Sequence, residues 1–268
     1  MIRPLLVTIL VSGVSCSSNH SDIITIQKAE RHQHSKNVEY VRLDVHSADR
    51  SIGYLHAVYA SPKDVQIKLG LNDARKSVEQ TFPSALVVAN AGFFTEAWKP
   101  TGLLRHSGRS LSPLVSKGGP AGSGILLMTD NKLQLMEREK VTRAQIQKAT
   151  FAIQAGPRII EPNGKPGIRS NDGKYRNRTL IGISDKGLIV IASFVAHTSN
   201  GRGVSLFQLQ ELFTTKIRSV EGMTDYALKS ALNLDGGPST SFIFRDSQRP
   251  IEVAPGNKVL SVIALEAK

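Results

Sequence analysis

One stretch of the chain decides how the fold is interpreted, and it runs Ala231-Leu232-Asn233-Leu234-Asp235-Gly236-Gly237-Pro238-Ser239-Thr240-Ser241. Its first part is an apolar run of strand length, which predicts a buried β-strand. The strand ends at Asp235, where two glycines permit a tight turn and close backbone approach. Backbone N–H groups exposed in such a turn suit a phosphate oxygen, and the three hydroxyl residues that follow add further polar groups. The alternative is an Asx-type turn in which Asp235 only caps its own backbone.

A second stretch shows the same order of features. The apolar run 85–89 predicts a fully buried strand, and it ends at Asn90-Ala91-Gly92-Phe93-Phe94. We expect the two phenylalanines to pack in the core. Asn is unfavourable inside a strand, so Asn90 is expected to have a purpose at the strand end.

Two further stretches end or begin at polar side chains. The run Phe151-Ala152-Ile153-Gln154-Ala155-Gly156-Pro157-Arg158 predicts a strand that stops at Gln154 and a Gly-Pro break. The run Arg176-Asn177-Arg178-Thr179-Leu180-Ile181-Gly182 places Arg178 at the entrance of a strand. The planar fork of arginine suits bidentate phosphate recognition, although a surface arginine is the plainer interpretation.

A polar loop, 197–203, joins a buried strand to a predicted helix. Its residues His197 and Arg202 are therefore candidates to line a site, with a purely structural histidine as the alternative. The helix is predicted over 205–215, because apolar residues recur at helical spacing and Ser205 is a suitable N-cap. A second short helix is predicted over 225–230.

The rest of the body is rich in short strands. Strands outnumber helices, so we predict an α+β fold, a single domain with a large mixed β-sheet and few helices. The predicted strands are 40–45, 55–60, 65–69, 85–89, 124–128, 132–136, 151–154, 180–183, 188–194, 231–234, 241–244 and 260–265.

The N-terminus has the layout of an export signal. A basic residue in Met1-Ile2-Arg3-Pro4 precedes an apolar run, and small residues surround Cys16. We predict a signal over 1–16 with Cys16 as the lipid-attachment site of a membrane-anchored lipoprotein, either periplasmic or on the outer surface. An ordinary secretion signal with an incidental cysteine is the alternative. No other cysteine exists, so an internal disulfide and a cysteine-based zinc site are excluded.

The segment after the signal is polar and mixed in charge. We predict a flexible tether over 17–38, with His32 and His34 solvated, followed by the folded domain over 39–268. No apolar run long enough to cross a bilayer follows the N-terminus.

Charge narrows the class of partner. Lys plus Arg number 34 against 22 Asp plus Glu, which gives a formal charge of +12 and favours an anionic partner. No block of five basic residues and no aromatic stacking stripe occurs, which argues against nucleic acid. We expect an anionic, phosphorylated carbohydrate as the partner.

Taken together and in this order, four segments resemble the phosphodiester glycosidase family, and the likeness extends over about 85–268. Ala91 and Pro238 stand where that family more often has glycine. The loop at Gly201-Arg202 before a helix also looks similar. The matching segments are Asn90-Ala91-Gly92-Phe93-Phe94, Gln154-Ala155-Gly156-Pro157, Arg178-Thr179-Leu180-Ile181-Gly182 and Asn233-Leu234-Asp235-Gly236-Gly237-Pro238-Ser239-Thr240.

The resemblance implies hydrolysis of the glycosidic bond of a sugar-1-phosphodiester in cell-envelope or extracellular glycans. A phosphate leaving group is already acidic, so it needs charge neutralisation more than protonation. Arg178 and the amides of Gly236 and Gly237 are expected to supply it from a pocket shared with Asp235. The catalytic role of Asp235 is then base, stabiliser of an oxocarbenium ion, or nucleophile.

The remaining site residues follow from the same resemblance. Asn90, Gln154 and Asn233 are expected to bind sugar hydroxyls or phosphate. The second carboxylate stays open among Glu96, Asp172 and Asp225. No cofactor is expected, although a divalent cation stays open. The substrate-binding set is completed by Gly92, Gly236, Gly237, Ser239, Thr240, His197 and Arg202.

Two other functions stay open at this point. A metal-dependent phosphodiesterase would cut the P–O bond with Asp235 and Asn233 as ligands, but histidine is sparse and no paired-Asp cluster occurs. A non-catalytic envelope lipoprotein that binds glycans would keep the fold without the chemistry.

Overall fold

The computed structural model describes residues 23–72, 75–130, 132–198 and 201–268. The signal segment and Cys16 lie outside the described residues, so lipid attachment there stays a prediction. Among the described residues, no helix is long and apolar enough to cross a membrane.

The secondary structure in these ranges consists mainly of strands. The helices are α1 (Val78–Thr81), α2 (Arg143–Lys148) and α3 (Leu206–Glu211). The strands are β1 (Ile24–Ser35), β2 (Val38–Ser47), β3 (Arg50–Ala60), β4 (Val65–Leu71), β5 (Val87–Asn90), β6 (Leu104–His106), β7 (Arg109–Ser112), β8 (Gly124–Thr129), β9 (Lys132–Glu137), β10 (Phe151–Ala155), β11 (Arg158–Ile160), β12 (Arg178–Ser184), β13 (Ile189–Ala196), β14 (Leu228–Asn233), β15 (Phe242–Phe244), β16 (Ile251–Val253) and β17 (Ser261–Ala267).

The strands form three sheets. The seven-stranded sheet has the order β1-β2-β3-β13-β12-β14-β11, the β10 sheet has the order β7-β6-β10-β8-β9, and the β5 sheet has the order β16-β15-β5-β17-β4. The prediction of one domain with much sheet and few helices is confirmed. The single mixed sheet is instead divided into three, and the pairings between described strands are antiparallel.

The main core lies where the three sheets meet. The seven-stranded sheet contributes Tyr40 and Ile181, the β10 sheet Phe151, and the β5 sheet Phe242 and Phe244, all within one buried cluster. Tyr40 and Phe244 stack with ring centroids 5.1 Å apart. This cluster holds the strand ends of all three sheets in a fixed relation.

The opposite face of the seven-stranded sheet packs against the α3 region. Leu180 and Phe194 of the sheet lie in one buried cluster with Leu209 and Phe213 of the helical region. The predicted cap is confirmed, since the Ser205 hydroxyl accepts a hydrogen bond from the N–H three residues on. Beyond α3 the helical path continues as a π turn over Leu212–Lys216.

The helix predicted over 225–230 is wrong. Only Thr224–Tyr226 forms a 3₁₀ turn, and β14 begins at Leu228. Ser230 lies opposite Ile183 of β12, so pairing with a neighbouring strand overrides the local helical spacing.

The tether prediction is wrong for Ile24–Ser35, which forms β1 and pairs with β2 along its length. Its charges have partners across the strands: Glu30 accepts a hydrogen bond from Arg42 at 2.8 Å. His32 and His34, predicted to be solvated, both contact the Asp246 carboxylate. The mixed charge of this segment therefore reflects cross-strand pairing.

Candidate active site

The structure brings the four polar segments together at one end of the sheets, the fourth through the Asn233 side chain, which donates to the Gly156 carbonyl. The N–H of Asp235 donates to the carbonyl of Ala91 at 2.9 Å, and the N–H of Leu234 donates to the carbonyl of Thr179 at 2.9 Å. These contacts fix the end of β14 against the end of β5 and the start of β12. The turn after β14 is thus held from two sides.

Asp235 sits half-buried in this turn. Its carboxylate accepts the N–H of Gly236 at 2.8 Å. Burial raises the pKa of Asp235 above its ordinary value of 3.8, and the Ser239 hydroxyl and the Gly236 N–H oppose that shift only in part. The result is a carboxylate that takes up a proton more readily than an ordinary Asp, as suits acid–base chemistry.

Asn90 holds the main chain of Asp235 in place. It is fully buried, its Nδ2 donates to the Asp235 carbonyl at 2.6 Å, and its Oδ1 accepts from the Thr179 hydroxyl at 2.7 Å and from the Ser241 N–H at 3.0 Å. These bonds make Asn90 a positioning residue, and substrate binding by its amide stays a prediction. Gly92 is also buried and packs against the strand behind it, so it too supports the site from within.

The amides of the glycine turn are not free for a phosphate. The N–H of Gly237 donates to the carbonyl of Asn177 at 2.8 Å, while that of Gly236 serves Asp235. The predicted anion nest is therefore wrong in this respect. Asn257, which the sequence pattern did not single out, donates to the carbonyls of Pro238 and Thr240 and closes the turn.

Arg178 has a different role from the one predicted. Its guanidinium donates to the carbonyls of Val204 at 3.1 Å and Lys174 at 2.5 Å. Burial lowers its pKa, and Asp235 is not among the charges that act on that pKa. Side chains alternate along a strand, so Arg178 leaves the face opposite to its neighbour Thr179, which contacts Asn90.

The Arg178 guanidinium is thus bonded to the main chain of two loops, and a pocket shared with Asp235 stays a prediction. Their main chains run side by side, but Arg178 instead clamps two loops together. No direct hydrogen bond or ion pair joins the Arg178 guanidinium to the Asp235 carboxylate.

The arginine beside the turn is Arg176. A Cβ added to Gly237 would lie 3.9 Å from Cδ of Arg176, which places this exposed side chain along the turn. Its Nη1 donates to the Tyr175 carbonyl at 3.0 Å, and the Arg202 guanidinium lies 3.8 Å from the centroid of the Tyr175 ring. Arg176 belongs to the segment 176–182, in which the phosphate contact is predicted for Arg178, two residues further on.

Two buried oxygens near the turn lack a hydrogen-bond partner among the described residues, Oδ1 of Asn233 and Oγ1 of Thr240. The other end of the Asn233 amide donates to the Gly156 carbonyl at 2.9 Å, which ties β14 to the end of β10. An unsatisfied buried polar group costs about 1–3 kcal/mol. A ligand that donated a hydrogen bond to either oxygen would remove that cost, so Asn233 and Thr240 are the best placed of the predicted substrate-binding residues.

Gln154 holds loops in place. Its Nε2 donates to the carbonyls of Val115 and Gly122 at 2.8 Å, and its Oε1 accepts from the N–H groups of Leu103 and Val115 at 3.0 Å. Because all its hydrogen-bonding capacity is used within the chain, the prediction that this amide binds a sugar hydroxyl is wrong.

His197 belongs to a separate polar group on the seven-stranded sheet. Its Nε2 lies 2.5 Å from the Ser51 hydroxyl, which donates to Asp44, and its ring meets the edge of Tyr54 at 4.9 Å between centroids. The structure places none of these contacts at Asp235.

The other charged candidates lie at the surface. Asp225 pairs with Lys186 at 2.6 Å, and Asp172 lies 3.9 Å from Lys174. Glu96 is exposed. Within the part of the chain that the structure describes, no group of three or more His, Cys, Asp or Glu side chains is placed to hold a metal ion.

The fold and the site define a β-rich domain with a basic carboxylate at a glycine turn. The sequence profile of the phosphodiester glycosidase family matches residues 83–265, and the chain belongs to that family. No curated protein matches the chain.

Solved structures show the same fold. The catalytic domain of zebrafish N-acetylglucosamine-1-phosphodiester alpha-N-acetylglucosaminidase, auto-inhibited by its pro-peptide, is similar at 14% identity with a TM-score of 0.60, over 90% of this chain and 88% of that one. A hypothetical protein from Synechocystis is similar at 14% identity and a TM-score of 0.54, over 90% of this chain and 64% of that one. A Burkholderia pseudomallei protein, named as an exported protein, is similar at 11% identity and a TM-score of 0.53, over 80% of this chain and 74% of that one.

Proposed function

We propose that this chain hydrolyses the glycosidic bond of a sugar-1-phosphodiester in cell-envelope or extracellular glycans, releasing the sugar and a phosphomonoester. Membership of the phosphodiester glycosidase family supports the reaction class. The observation that carries the proposal is the half-buried Asp235, whose pKa burial raises and whose main chain Asn90 and Ala91 fix in place.

Asp235 acts as the base for the attacking water in this proposal. A carboxylate whose basicity is raised by burial accepts the proton of water better than an exposed one. Water adds its oxygen to the anomeric carbon, the bond from that carbon to the phosphate oxygen breaks, and the electron pair stays on the phosphate. Ordinary glycosidases use a second carboxyl group as the proton donor to the leaving group. Because a phosphomonoester already leaves as a stable anion, this step requires no such donor. A covalent route with Asp235 as nucleophile has the same requirement for an ionised carboxylate.

The phosphate is held by Arg176, with Arg202 beside it across the Tyr175 ring. Both carry the planar fork that matches phosphate oxygens, and Arg176 lies along the turn that contains Asp235. Arg178 and Asn90 act as positioning residues, since their polar groups bond to the protein.

Turnover in isotopically labelled water tests the proposal. A panel of sugar-1-phosphodiesters is incubated with the purified chain, with the Asp235→Asn variant as control. Label in the released sugar supports cleavage of the C–O bond. Label in the phosphate contradicts it and favours a metal-dependent phosphodiesterase. Binding without turnover across the panel would favour a glycan-binding protein.

We also propose that the chain is exported and anchored through a lipid on Cys16. The basic, apolar and small-residue order of 1–16 supports this, as does the similarity to a protein named as exported. In cells, Cys16→Ser is expected to move the protein from the membrane fraction to the soluble fraction. An unchanged membrane fraction would contradict a lipid anchor.

A further inference from the structure

One cavity beside the end of β10 is not explained by the proposed chemistry. It has a volume of about 190 Å³, and Gly118, Gly119, Gly122 and Gln154 form much of its wall. A water occupies ≈30 Å³ in the liquid, so the cavity has room for roughly six waters. That is enough for one charged substituent of a sugar.

Basic side chains are the charged groups of this wall. Lys117 is exposed and has no acidic partner among the described residues, and no acidic residue lines the cavity. Arg138 also lines it, with its Nη1 donating to the Gly118 carbonyl at 3.3 Å and its Nη2 pairing with Glu139 at 2.7 Å. A concave surface with one sign of charge concentrates ions of the opposite sign.

The cavity and Asp235 are connected through rigid elements. Gln154 lies two residues before Gly156 at the end of β10, and the Gly156 carbonyl accepts from the Asn233 side chain two residues before Asp235. A residue advances the chain by at most ~3.6 Å, so the path places the cavity within roughly 20 Å of the Asp235 carboxylate. One oligosaccharide can therefore occupy both places.

We infer that this cavity is an anion subsite of the same enzyme. It takes a carboxylate, phosphate or sulfate group borne by the carbohydrate, separate from the phosphodiester that is cleaved. This inference rests on the proposed function, and it makes the preferred substrate a glycan with two acidic groups.

Gly119 offers a clean way to test the subsite. Its φ of −71° is ordinary for any L residue, and a Cβ added there meets nothing within 4 Å. Gly119→Asp therefore places a negative charge in the cavity without steric conflict. Gly119→Asn has nearly the same shape and no charge, which makes it the matched control.

Calorimetric binding is measured with a glucuronate-containing disaccharide, its methyl ester, and a disaccharide 6-phosphate. The subsite predicts that both acidic probes bind and the ester binds at least ~5-fold more weakly. Gly119→Asp and Lys117→Ala are expected to weaken the acidic probes by a similar factor, while Gly119→Asn and the remote Lys63→Ala leave them unchanged. The two acidic probes distinguish a carboxylate from a phosphate preference.

Equal binding of ester and acid, equal loss in Gly119→Asp and Gly119→Asn, or no binding of any probe would each overturn the inference. Turnover is followed in the same variants with a methyl phosphodiester of a sugar that bears no other charged group. If the diester is still turned over but the acidic probes do not bind, only the subsite is contradicted. If the acidic probes bind but no diester is turned over, the proposed function is contradicted instead.

Discussion

Two aspartates that follow strands, Asp235 after β14 and Asp246 after β15, have opposite surroundings. Asp246 is only 7% exposed, yet its carboxylate contacts His32, His34 and two backbone N–H groups of the turn that follows. Burial alone would raise its pKa, but these hydrogen bonds, that of His34 first, lower the pKa to about 2. Asp235 has fewer partners, and burial prevails there.

The difference separates a structural carboxylate from a reactive one. Hydrogen bonds that favour the ionised form hold Asp246 as a fixed anion that joins β1 to the β5 sheet. The ionised form of Asp235 is compensated only in part, so its negative charge remains available to a proton or to a developing positive charge. The number of donors around each carboxylate, more than its burial, decides its role.

The largest expected effect is on turnover. Asp235→Asn is expected to lower kcat/KM on a sugar-1-phosphodiester at least ~100-fold, because the base is lost. The free energy of unfolding should stay equal or rise at pH 7, since a neutral amide does not carry the cost of burying a charge. Asp246→Asn serves as the control and should turn over within a factor of a few of the parent. Near-normal turnover in Asp235→Asn would refute the role assigned to this carboxylate.

A second pair of variants separates the two arginines. Arg176→Ala should lower kcat/KM by ~10-fold or more with an unchanged Tm, because this exposed side chain binds phosphate. Arg178→Ala should lower the free energy of unfolding by about 1–3 kcal/mol, since the hydrogen bonds to the carbonyls of Val204 and Lys174 are lost. Steady-state kinetics and thermal unfolding distinguish them. The opposite result would be a loss of turnover with an unchanged Tm in Arg178→Ala and normal turnover in Arg176→Ala. It would assign phosphate binding to Arg178, as the sequence predicts.

The smallest expected effect concerns stability in acid. Asp246→Asn should lower the free energy of unfolding by roughly 1–2 kcal/mol at pH 7. The folded pKa of Asp246, about 2, lies below its unfolded value, so this contribution is present above about pH 4 and is lost as pH falls toward 2. Urea unfolding of parent and variant at several pH values checks this. A difference that persists unchanged at pH 2 would contradict the account.

Local signals in the sequence were sufficient for part of the fold. The strand before Asp235 and the cap at Ser205 depend on neighbouring residues, so a short window contains the information. The order of four polar segments identified the family. These features require no knowledge of which strands pair.

Long-range pairing decided what the sequence could not predict. His32 meets Asp246 across 214 residues, and Asn90 bonds to Asp235 across 145, so neither β1 nor the positioning role of Asn90 follows from composition. The choice between Arg176 and Arg178 depended on which loop carbonyls lie nearby in space. Hydrogen bonds to distant main chain are invisible in a pattern of residue types.

The pH dependence of kcat/KM on a sugar-1-phosphodiester tests the central claim most directly. If a buried Asp235 must be ionised to act, the acid limb should have its midpoint above the ordinary Asp pKa of 3.8, and Asp246→Asn should leave that midpoint in place. An acid limb at or below the ordinary value, or one that moves with Asp246→Asn, would contradict the assignment of the chemistry to Asp235.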